Sequence, residues 1–358
     1  MSVNPEDYLL LMFSMKGVGK RVDFAHVKEK ITRDVSKLSD DEIRKILSSL
    51  TQKNHLEEVK GTFGITKGGK EFFAQRIKEI EEDLRKVNEP WVIVYKSKQY
   101  YPVVADTVLE FCKNRYTGFY CLFTEQRFFR RDFRGKKIVL NSVKDLLFFI
   151  NIHYIDVIPC VHRIGMERPD WLVVDIDPGP KVDFEQTKQV AKITYKIFDE
   201  LKLNPMTKFS GSRGFQVWSL IGGFEIPEKY QPLALRGESK RERNYFSLFA
   251  DFVRIIQKEV DKEVPGLTTS ETLGKKERED KILLDSASMK PMGLVRSPYS
   301  VHSKTGLVSL PLSISELEKF EVKDATTEET IERYKKRGNE FVLKESNPSR
   351  LLNLFKFS

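Results

Sequence analysis

One short apolar segment of the chain ends in two acids, Trp171-Leu172-Val173-Val174-Asp175-Ile176-Asp177-Pro178-Gly179. A β-branched run that is closed by Pro and Gly predicts a buried β-strand. Because side chains alternate between the two faces of a strand, Asp175 and Asp177 are expected to point to the same face. Neighbouring carboxylates repel each other unless a cation lies between them, and Mg²⁺ commonly uses one or two carboxylates together with substrate phosphates. The pair therefore indicates either a divalent metal site or two solvated acids at a strand end.

The composition favours a partner that carries negative charge. The chain has 358 residues, with 61 Lys and Arg against 52 Asp and Glu and a formal net charge of +9. This length allows two or three domains, and a basic surplus suits binding to nucleic acid. Since the candidate site is acidic while the chain is basic, the pattern favours a metal-dependent phosphoryl-transfer enzyme that acts on nucleic acid.

Several other classes are disfavoured by the sequence. No stretch of about 18 apolar residues predicts a membrane span, and the first residues lack the pattern of a signal peptide. The three cysteines, Cys112, Cys121 and Cys160, form no CxxC pair, so neither a disulfide framework nor a four-ligand zinc site is expected. These features predict a cytoplasmic protein without zinc and without a membrane partner.

Residues 1–85 are predicted to form a separate small domain. Three helical segments are followed by a hairpin around Lys60-Gly61-Thr62-Phe63-Gly64 and by a closing helix, an order that resembles a winged helix-turn-helix domain. In such domains the third helix, here about residues 39–53, enters the DNA major groove, which makes Arg44 and Lys45 candidate DNA-binding residues. The alternative is a winged helix that binds another protein.

The next part of the chain combines strand-like and basic segments. A charged helical linker is expected at residues 77–87 and a strand at Trp91-Val92-Ile93-Val94-Tyr95. Residues 119–134 interleave aromatic side chains with arginines, a pattern that can stack bases and neutralise phosphates. The candidate DNA-binding residues there are Arg127, Arg130 and Arg131. The alternative is an ordinary strand with one buried face.

Two later segments carry groups that suit a metal and a phosphate. In the segment from Ser210 to Gln216, two glycines flank Ser212-Arg213, so that backbone N–H groups can approach an anion and Arg213 can hold a phosphate. An ordinary turn is the alternative. Asp285 ends another apolar run, Ile282-Leu283-Leu284-Asp285, and supplies a third carboxylate. Beyond it, small residues alternate with three phosphate-competent groups, Arg296, His302 and Lys304.

Taken together, these motifs resemble the archaeo-eukaryotic primase superfamily over roughly residues 90–310. The shared pattern is an apolar strand ending in Asp-x-Asp, a Ser-Gly-x-x-Gly turn, a later apolar-Asp strand and a basic Ser-x-His-x-Lys-Thr-Gly stretch. The resemblance implies an α+β fold with an RRM-like antiparallel sheet, helices and an α/β module. It implies a winged helix-like domain at residues 1–85, a catalytic core at 86–312 and a C-terminal helical extension or tail at 313–358.

The resemblance implies template-directed nucleotidyl transfer by a DNA primase or primase-polymerase. Two Mg²⁺ or Mn²⁺ ions would be held by Asp175, Asp177 and Asp285. The residues that would bind the incoming nucleotide are Ser210, Ser212, Arg213, Gln216, Arg296, Ser300, His302 and Lys304. The implied partners are a DNA template or primer and ribo- or deoxyribonucleoside triphosphates. A primase large subunit, a ligase, a helicase or a sliding clamp would be further partners, in the cytoplasm and in association with the nucleoid.

Gln216 departs from the family pattern, which has His at this position. Gln donates a hydrogen bond but cannot carry the positive charge that His can carry toward a phosphate. Three alternatives therefore stay open: a primase, an end-joining or gap-filling repair polymerase, and a catalytically weakened DNA-binding protein. Residues 145–159 and 169–179 look more like the end-joining polymerases, whereas residues 296–298 and 304–307 look more like the archaeal primase small subunit.

Overall fold

The computed structural model describes residues 3–123, 126–233, 241–271 and 278–355. Internal contacts divide the described chain into two units. The first comprises the chain up to Gln99 together with Leu122–Phe128, and the second comprises Tyr100–Cys121 and the chain from Phe129 onward. The contacts thus separate the chain after Gln99, whereas the predicted division at residues 85 and 312 stays a prediction.

The first unit is built from helices and one small sheet. Its elements are α1 (Pro5–Lys16), β1 (Val22–Asp23), α2 (Phe24–Asp34), α3 (Asp40–Gln52), β2 (Leu56–Val59), β3 (Thr62–Ile65) and the first part of α4 (Lys67–Cys112). The three strands form an antiparallel sheet in the order β1-β3-β2. The three predicted helices and the predicted hairpin are therefore present, while the assignment to the winged-helix family stays a prediction.

Helix α3 shows how the sequence encodes these elements locally. The Ser39 hydroxyl accepts a hydrogen bond from the backbone N–H of Glu42, and the Glu42 carboxylate accepts one from the backbone N–H of Ser39. This reciprocal capping satisfies two backbone donors at the start of the helix. The apolar residues Ile43, Leu47 and Leu50 follow at helical spacing and are all buried, so one stripe of the helix faces the core.

Helix α4 corrects one prediction. The segment Trp91-Val92-Ile93-Val94-Tyr95, predicted as a strand, is helical, whereas residues 77–87, predicted as a charged helical linker, are helical as expected. The helix is interrupted at Asn88, whose backbone is not helical (φ −152°, ψ 72°). All five residues from Trp91 to Tyr95 are buried, and a helix that is buried on every side has the same continuous apolar run as a buried strand. The apolar run alone therefore could not distinguish the two structures.

The second unit carries most of the strands. After the end of α4 come β4 (Thr117–Phe123) and β5 (Gln126–Arg130), which share Leu122–Phe128 with the first unit, and then β6 (Asp132–Phe133), β7 (Lys136–Lys137), α5 (Val143–Asn151), β8 (Tyr154–Pro159) and β9 (Trp171–Pro178). The second unit continues with α6 (Phe184–Glu200), β10 (Met206–Phe209), β11 (Phe215–Ile221), α7 (Tyr245–Glu263), β12 (Thr268–Thr269) and β13 (Ile282–Asp285). The last elements are β14 (Pro311–Leu312), α8 (Ile314–Lys319), a short 3₁₀ helix (Val322–Ala325), α9 (Thr327–Arg337), β15 (Glu345–Ser346) and α10 (Ser349–Leu352). This is the mixed α+β architecture that the sequence predicts.

In the largest sheet, β9 lies between β11 and β13, which carry the other candidate site residues next to Asp175. Its order is β12-β13-β9-β11-β10-β14, and β15 pairs with β11. Strand β9 is antiparallel to both β11 and β13. Helices α6 and α7 pack against each other and against these strands. The strand predicted around Asp175 is thus confirmed, and it extends through Asp177 to Pro178.

A second sheet, in the order β5-β4-β8, explains much of the aromatic pattern of residues 119–134. The ring of Phe149 on α5 lies 5.2 Å from that of Phe119, 5.3 Å from that of Phe133 and 5.4 Å from that of Tyr154, between centroids. Aromatic rings at these distances pack favourably. Some of the predicted base-stacking residues are therefore packed against other aromatic residues of the protein.

Among the described helices, none is long and apolar enough to cross a membrane.

Candidate active site

Four polar side chains form a row across four adjacent strands of the large sheet. Asp175 on β9 is paired with Asp285 on β13 and with Gln216 on β11, and Gln216 is paired in turn with Lys208 on β10. Directly opposed residues of antiparallel strands share a face of the sheet. The row therefore runs Asp285, Asp175, Gln216, Lys208, and Asp177 lies on the same face two residues beyond Asp175.

The carboxyl group of Asp175 is in an environment that disfavours its charge. Burial, followed by the neighbouring carboxylates of Asp285 and Asp177, raises its pKa to about 6, although a hydrogen bond from Gln216 and the charge of Lys208 act in the opposite direction. A carboxylate beside other carboxylates in a buried position is stabilised by a bound cation. This feature fits a divalent metal ion.

The other two acids have protein partners in this structure. Asp177 accepts a hydrogen bond of 2.8 Å from the guanidinium of Arg278, and Arg278 also donates to the backbone carbonyl of Asp177 at 3.2 Å. Asp285 accepts a bond of 2.7 Å from the backbone N–H of Ala287. Among the described residues, no three carboxylate, thiol or imidazole side chains are gathered as a complete metal-binding group. The donor set thus fits an ion held by Asp175 and Asp285 and completed by substrate phosphates.

Gln216 is held from its other side by an indole. The Nε1 of Trp218 donates to the Oε1 of Gln216 at 3.1 Å, and Trp218 lies two residues further along the same strand. Trp218 is fully buried and Gln216 is 4% exposed. Gln216 is therefore a fixed part of the row rather than a mobile surface residue.

Lys208 is a member of the site that sequence analysis did not identify. Its side chain is fully buried, its ammonium donates to the Ser309 hydroxyl at 2.6 Å, and it lies 5.3 Å from the ring centroid of Trp218. Burial and the nearby charge of Arg296 hold its pKa well below the ordinary value for lysine. The available sequence signal was a lysine in the middle of a buried strand, on the face that also carries Gln216.

The predicted glycine turn is tight and is next to the row. The N–H of Ser210 donates to the carbonyl of Gly214 at 2.9 Å. A Cβ atom on Gly214 would lie 2.1 Å from the carbonyl oxygen of Ile176, so only glycine fits there. Gly211 has a φ of +91°. Ser212 is partly exposed, and Arg213 is exposed and donates to the carbonyl of Pro178 at 3.3 Å.

His302, the histidine of the basic stretch, lies next to this turn. Thr305 donates to the carbonyl of Gly211 at 2.6 Å, and a Cβ on Gly211 would lie 2.8 Å from the Cβ of His302. The Nδ1 of His302 accepts hydrogen bonds from the backbone N–H groups of Lys304 and Thr305. Since Nδ1 is an acceptor, Nε2 carries the proton of the neutral ring. The side chain of Lys304 is exposed.

Two other predicted nucleotide-binding residues are occupied by structural contacts. Arg296 forms two hydrogen bonds with the fully buried carboxylate of Asp156, at 2.7 and 3.0 Å, and a third with the carbonyl of Ser210 at 3.0 Å. Asp156 also accepts two bonds from Ser303. Ser300 is fully buried, and its hydroxyl accepts a bond of 2.7 Å from the backbone N–H of Val157. Both residues therefore support the walls of the site.

The row faces a cavity of about 350 Å³ in the second unit. Asp175, Gln216 and Asp285 line one side of it. The other lining residues are Tyr120, Phe129, Arg131, Ile158, Ala287, Ser288, Lys290, Leu294, Val295 and Arg296. A lining that combines acids with aromatic and basic side chains suits a ligand that has both phosphates and a planar ring.

The predicted DNA-binding arginines are divided between this cavity and the surface. Arg131 lines the cavity and donates to the carbonyl of Met292 at 3.3 Å. Arg127 and Arg130 are exposed on β5. In the first unit, Arg44 and Lys45 are exposed on α3, and the guanidinium of Arg44 lies 4.1 Å from the ring centroid of Phe24.

Comparison with known proteins connects this geometry with a family. The family model described as LigD, primase-polymerase domain, matches residues 111–341. The bifunctional non-homologous end joining protein LigD of Bacillus subtilis (strain 168) is 27% identical over 206 residues, which cover 57% of this chain and 31% of that protein. The multifunctional non-homologous end joining protein LigD of Pseudomonas aeruginosa is 26% identical over 158 residues, which cover 44% of this chain and 16% of that protein.

A solved structure supports the same fold. The polymerase domain from Mycobacterium tuberculosis ligase D in complex with DNA matches with a TM-score of 0.55 at 18% identity, covering 68% of this chain and 88% of that one. The chain spans less than a third of the length of the two curated relatives. The predicted superfamily is thereby confirmed. Of the two patterns within it, the comparisons match the pattern of the end-joining polymerases.

Proposed function

This chain belongs to the LigD primase-polymerase domain family, and we propose that it is a DNA-directed nucleotidyltransferase that extends DNA ends or fills gaps during repair. The row of Asp285, Asp175 and Gln216 on one wall of the cavity carries this proposal. A pair of partly buried carboxylates next to phosphate-competent groups is an arrangement that suits phosphoryl transfer with divalent ions.

The acids would hold the catalytic ions. When bound, Mg²⁺ or Mn²⁺ lowers the pKa of the attacking hydroxyl and neutralises the leaving pyrophosphate. Asp175 and Asp285 already share one face of the sheet, and Asp177 joins them once its carboxylate leaves Arg278. The raised pKa of Asp175 supports this assignment, because burial and the two neighbouring carboxylates disfavour its ionised form and a bound cation would favour it.

The triphosphate would lie along the glycine turn and the basic stretch. Backbone N–H groups of Ser212 and its neighbours would donate to the phosphates. Arg213, Lys304 and the Nε2 proton of His302 are the donors that we assign to the phosphate oxygens. Ser210 would hold the turn through its bond to Gly214, and Arg296 and Ser300 would keep the wall in place.

The DNA would follow the aromatic and basic side of the cavity. The solved relative was determined with DNA bound, which supports DNA as the partner of this chain. Arg131 at the cavity and Arg127 and Arg130 on β5 suit contacts with backbone phosphates. Arg44 and Lys45 on α3 are the corresponding candidates in the winged helix-like first unit.

The test is a nucleotide-transfer assay with matched variants. Wild-type protein is incubated with a gapped, primed DNA, nucleoside triphosphates and Mn²⁺ or Mg²⁺. We expect Asp285→Asn to reduce extension by at least about a hundredfold, and Asp132→Asn, a change at an exposed acid on β6, to have no effect. If wild type gives no product under any of these conditions but binds DNA, the chain is a DNA-binding protein and the proposal is wrong.

The same assay separates repair from priming. Extension of a supplied primer that is stimulated by a 5′-phosphate across the gap would support a repair polymerase. Dinucleotide synthesis on single-stranded DNA without a primer would support a primase instead. Running both with ribo- and deoxyribonucleotides determines the preferred sugar. The site of action would be the nucleoid in the cytoplasm.

A further inference from the structure

The side chain of Gln216 has its orientation fixed by a neighbour. The indole N–H of Trp218 is a donor only, so it selects the amide oxygen of Gln216, and the bond length of 3.1 Å matches that pairing. The amide nitrogen must then point away from Trp218. An isolated glutamine amide has no such preference between its two orientations, so Trp218 determines which end of Gln216 faces the rest of the row.

The end that faces Asp175 is therefore the donor end. Gln216 and Asp175 are direct partners across β11 and β9. The side chain of Gln216 donates a hydrogen bond to the Asp175 carboxylate. A donor that holds one carboxylate oxygen leaves the other oxygen directed elsewhere, which is how residues behind a metal ligand orient that ligand.

Burial limits what else Gln216 can contact. Only 4% of the residue is exposed, and Trp218 behind it is fully buried. Its cross-strand neighbour on the other side, Lys208, is also fully buried. The phosphate donors of the glycine turn and the basic stretch, by contrast, include exposed side chains such as Arg213 and Lys304.

We propose that Gln216 and Trp218 are positioning residues: Trp218 fixes the amide of Gln216, and Gln216 orients the Asp175 carboxylate toward a divalent ion instead of binding the triphosphate. This inference rests on the proposed function, since it assigns Asp175 to the metal. It gives the glutamine a role different from that of a histidine, whose ring could carry charge to a phosphate.

The first measurement is the affinity of the full chain for Mn²⁺ alone, followed by the EPR signal of the free ion. We expect Gln216→Leu and Trp218→Phe each to weaken Mn²⁺ binding by about tenfold, as is usual when a group behind a metal ligand is lost. The matched control is Trp171→Phe, which removes the same atoms from a buried indole whose ring centroid lies 4.9 Å from that of Trp218. We expect this control to bind Mn²⁺ like wild type.

The second measurement is steady-state extension with dATP at saturating Mn²⁺. We expect Gln216→Leu to lower kcat and to leave the KM for dATP within about twofold of wild type, because ground-state binding of the triphosphate is not changed. A rise in KM with unchanged Mn²⁺ affinity would show that Gln216 binds the triphosphate, and it would overturn the inference. Unchanged Mn²⁺ affinity in both variants overturns it as well.

The two proposals fail in different ways. If wild type binds Mn²⁺ but makes no product, and the two variants still lose affinity while Trp171→Phe does not, the positioning roles stand and the proposed function is wrong. If wild type does not bind Mn²⁺, the positioning roles are wrong. Thermal unfolding shows whether each variant folds. If Trp218→Phe does not fold, the Mn²⁺ affinity of Gln216→Leu decides whether the inference stands.

Discussion

At the scale of single residues, the ionised form of Asp175 is in an unfavourable environment. Its carboxyl group is buried beside the carboxylates of Asp285 and Asp177, which raises its pKa to about 6. At neutral pH the group is ionised, in an environment that would favour the proton. Such a group lowers the stability of the folded protein and is kept because its charge is useful.

Asp175→Asn should therefore stabilise the metal-free protein. One unit of pKa shift corresponds to about 1.4 kcal/mol, and because Asp175 is partly accessible we expect a gain of about 1–2 kcal/mol in the free energy of unfolding at pH 7. Between the unfolded pKa near 3.8 and the folded value of about 6, the native state binds more protons, so the wild-type penalty shrinks as the pH falls. The gain should thus be complete above pH 6 and absent below pH 4.

Urea unfolding in the presence of a chelator, at pH 7.5 and at pH 4, measures this difference. Asp132→Asn on β6, with an exposed carboxylate paired to Lys137, is the control and should change stability by less than about 0.5 kcal/mol. A loss of stability in Asp175→Asn at pH 7.5 would show that the carboxylate is compensated in the metal-free protein.

Arg278 should compete with metal ions for Asp177. Its guanidinium donates to the Asp177 carboxylate at 2.8 Å, and Asp177 is 43% exposed at its side chain. An ion pair of this accessibility contributes about 0.5–1 kcal/mol, so Arg278→Gln should raise Mn²⁺ affinity by about two- to fivefold. Titration followed by EPR checks the prediction, with Arg130→Gln as the control. Weaker Mn²⁺ binding by Arg278→Gln would mean that Arg278 organises the site.

The sequence predicts these residues to different degrees. Asp175 and Asp177 follow from strand periodicity, because two residues of the same strand need no tertiary information. The register that places Gln216 and Asp285 on either side of Asp175 depends on strand pairing between residues that lie 41 and 110 positions away from Asp175 along the chain. Lys208 was not identified, because a lysine in a strand ordinarily indicates a solvent-exposed face.

At the scale of elements, an ion pair connects β8 to the basic stretch. Asp156 on β8 is fully buried, and it accepts hydrogen bonds from Arg296 and Ser303. Sequence analysis assigned Arg296 to the nucleotide, since an arginine near a serine and a lysine suits a phosphate. The buried acid that pairs with it lies 140 residues earlier in the chain, so only the folded structure shows the partner.

Arg296→Gln should therefore act on stability. Removing one partner of a buried ion pair leaves the other charge uncompensated and costs about 3 kcal/mol or more. Arg130→Gln, at an exposed arginine of β5, should cost less than about 0.5 kcal/mol. Urea unfolding at pH 7 measures both. Unchanged stability together with a raised KM for the nucleotide would restore the role that the sequence predicts for Arg296.

The error in α4 has a comparable origin. The β-branched residues Val92, Ile93 and Val94 favour a strand locally, yet the segment is helical and buried. Trp91 stacks on Tyr8 with 5.7 Å between ring centroids, and Tyr95 packs edge-on against Phe73. Contacts with α1 and with the start of α4 thus override the local preference. Helix α3, whose capping signal is contained in its own sequence, was predicted correctly.

At the scale of the whole molecule, the family match covers residues 111–341, and the first unit ends before it, except for Leu122–Phe128. The formal net charge of +9 belongs to the whole chain. Candidate DNA contacts occur in both regions, Arg44 and Lys45 on α3 and Arg127 and Arg130 on β5. Nucleic-acid binding by such surfaces releases counterions, so its affinity falls with salt in proportion to the number of phosphate contacts.

The salt dependence of DNA binding can count these contacts region by region. The affinity of the full chain for a primed duplex is measured by fluorescence anisotropy between about 50 and 200 mM NaCl, a range over which each phosphate contact lowers the affinity measurably. Each lost phosphate contact should reduce the slope of log affinity against log salt by about one. We therefore expect Arg127→Ala/Arg130→Ala to reduce it by about two, and Arg44→Ala/Lys45→Ala to do the same if α3 contacts DNA.

The control, Lys335→Ala/Lys336→Ala, removes two exposed charges from α9 and should leave the slope unchanged. An equal reduction in the control would show that the slope reports net charge rather than contacts. An unchanged slope in the α3 variant alone would mean that Arg44 and Lys45 do not contact DNA phosphates.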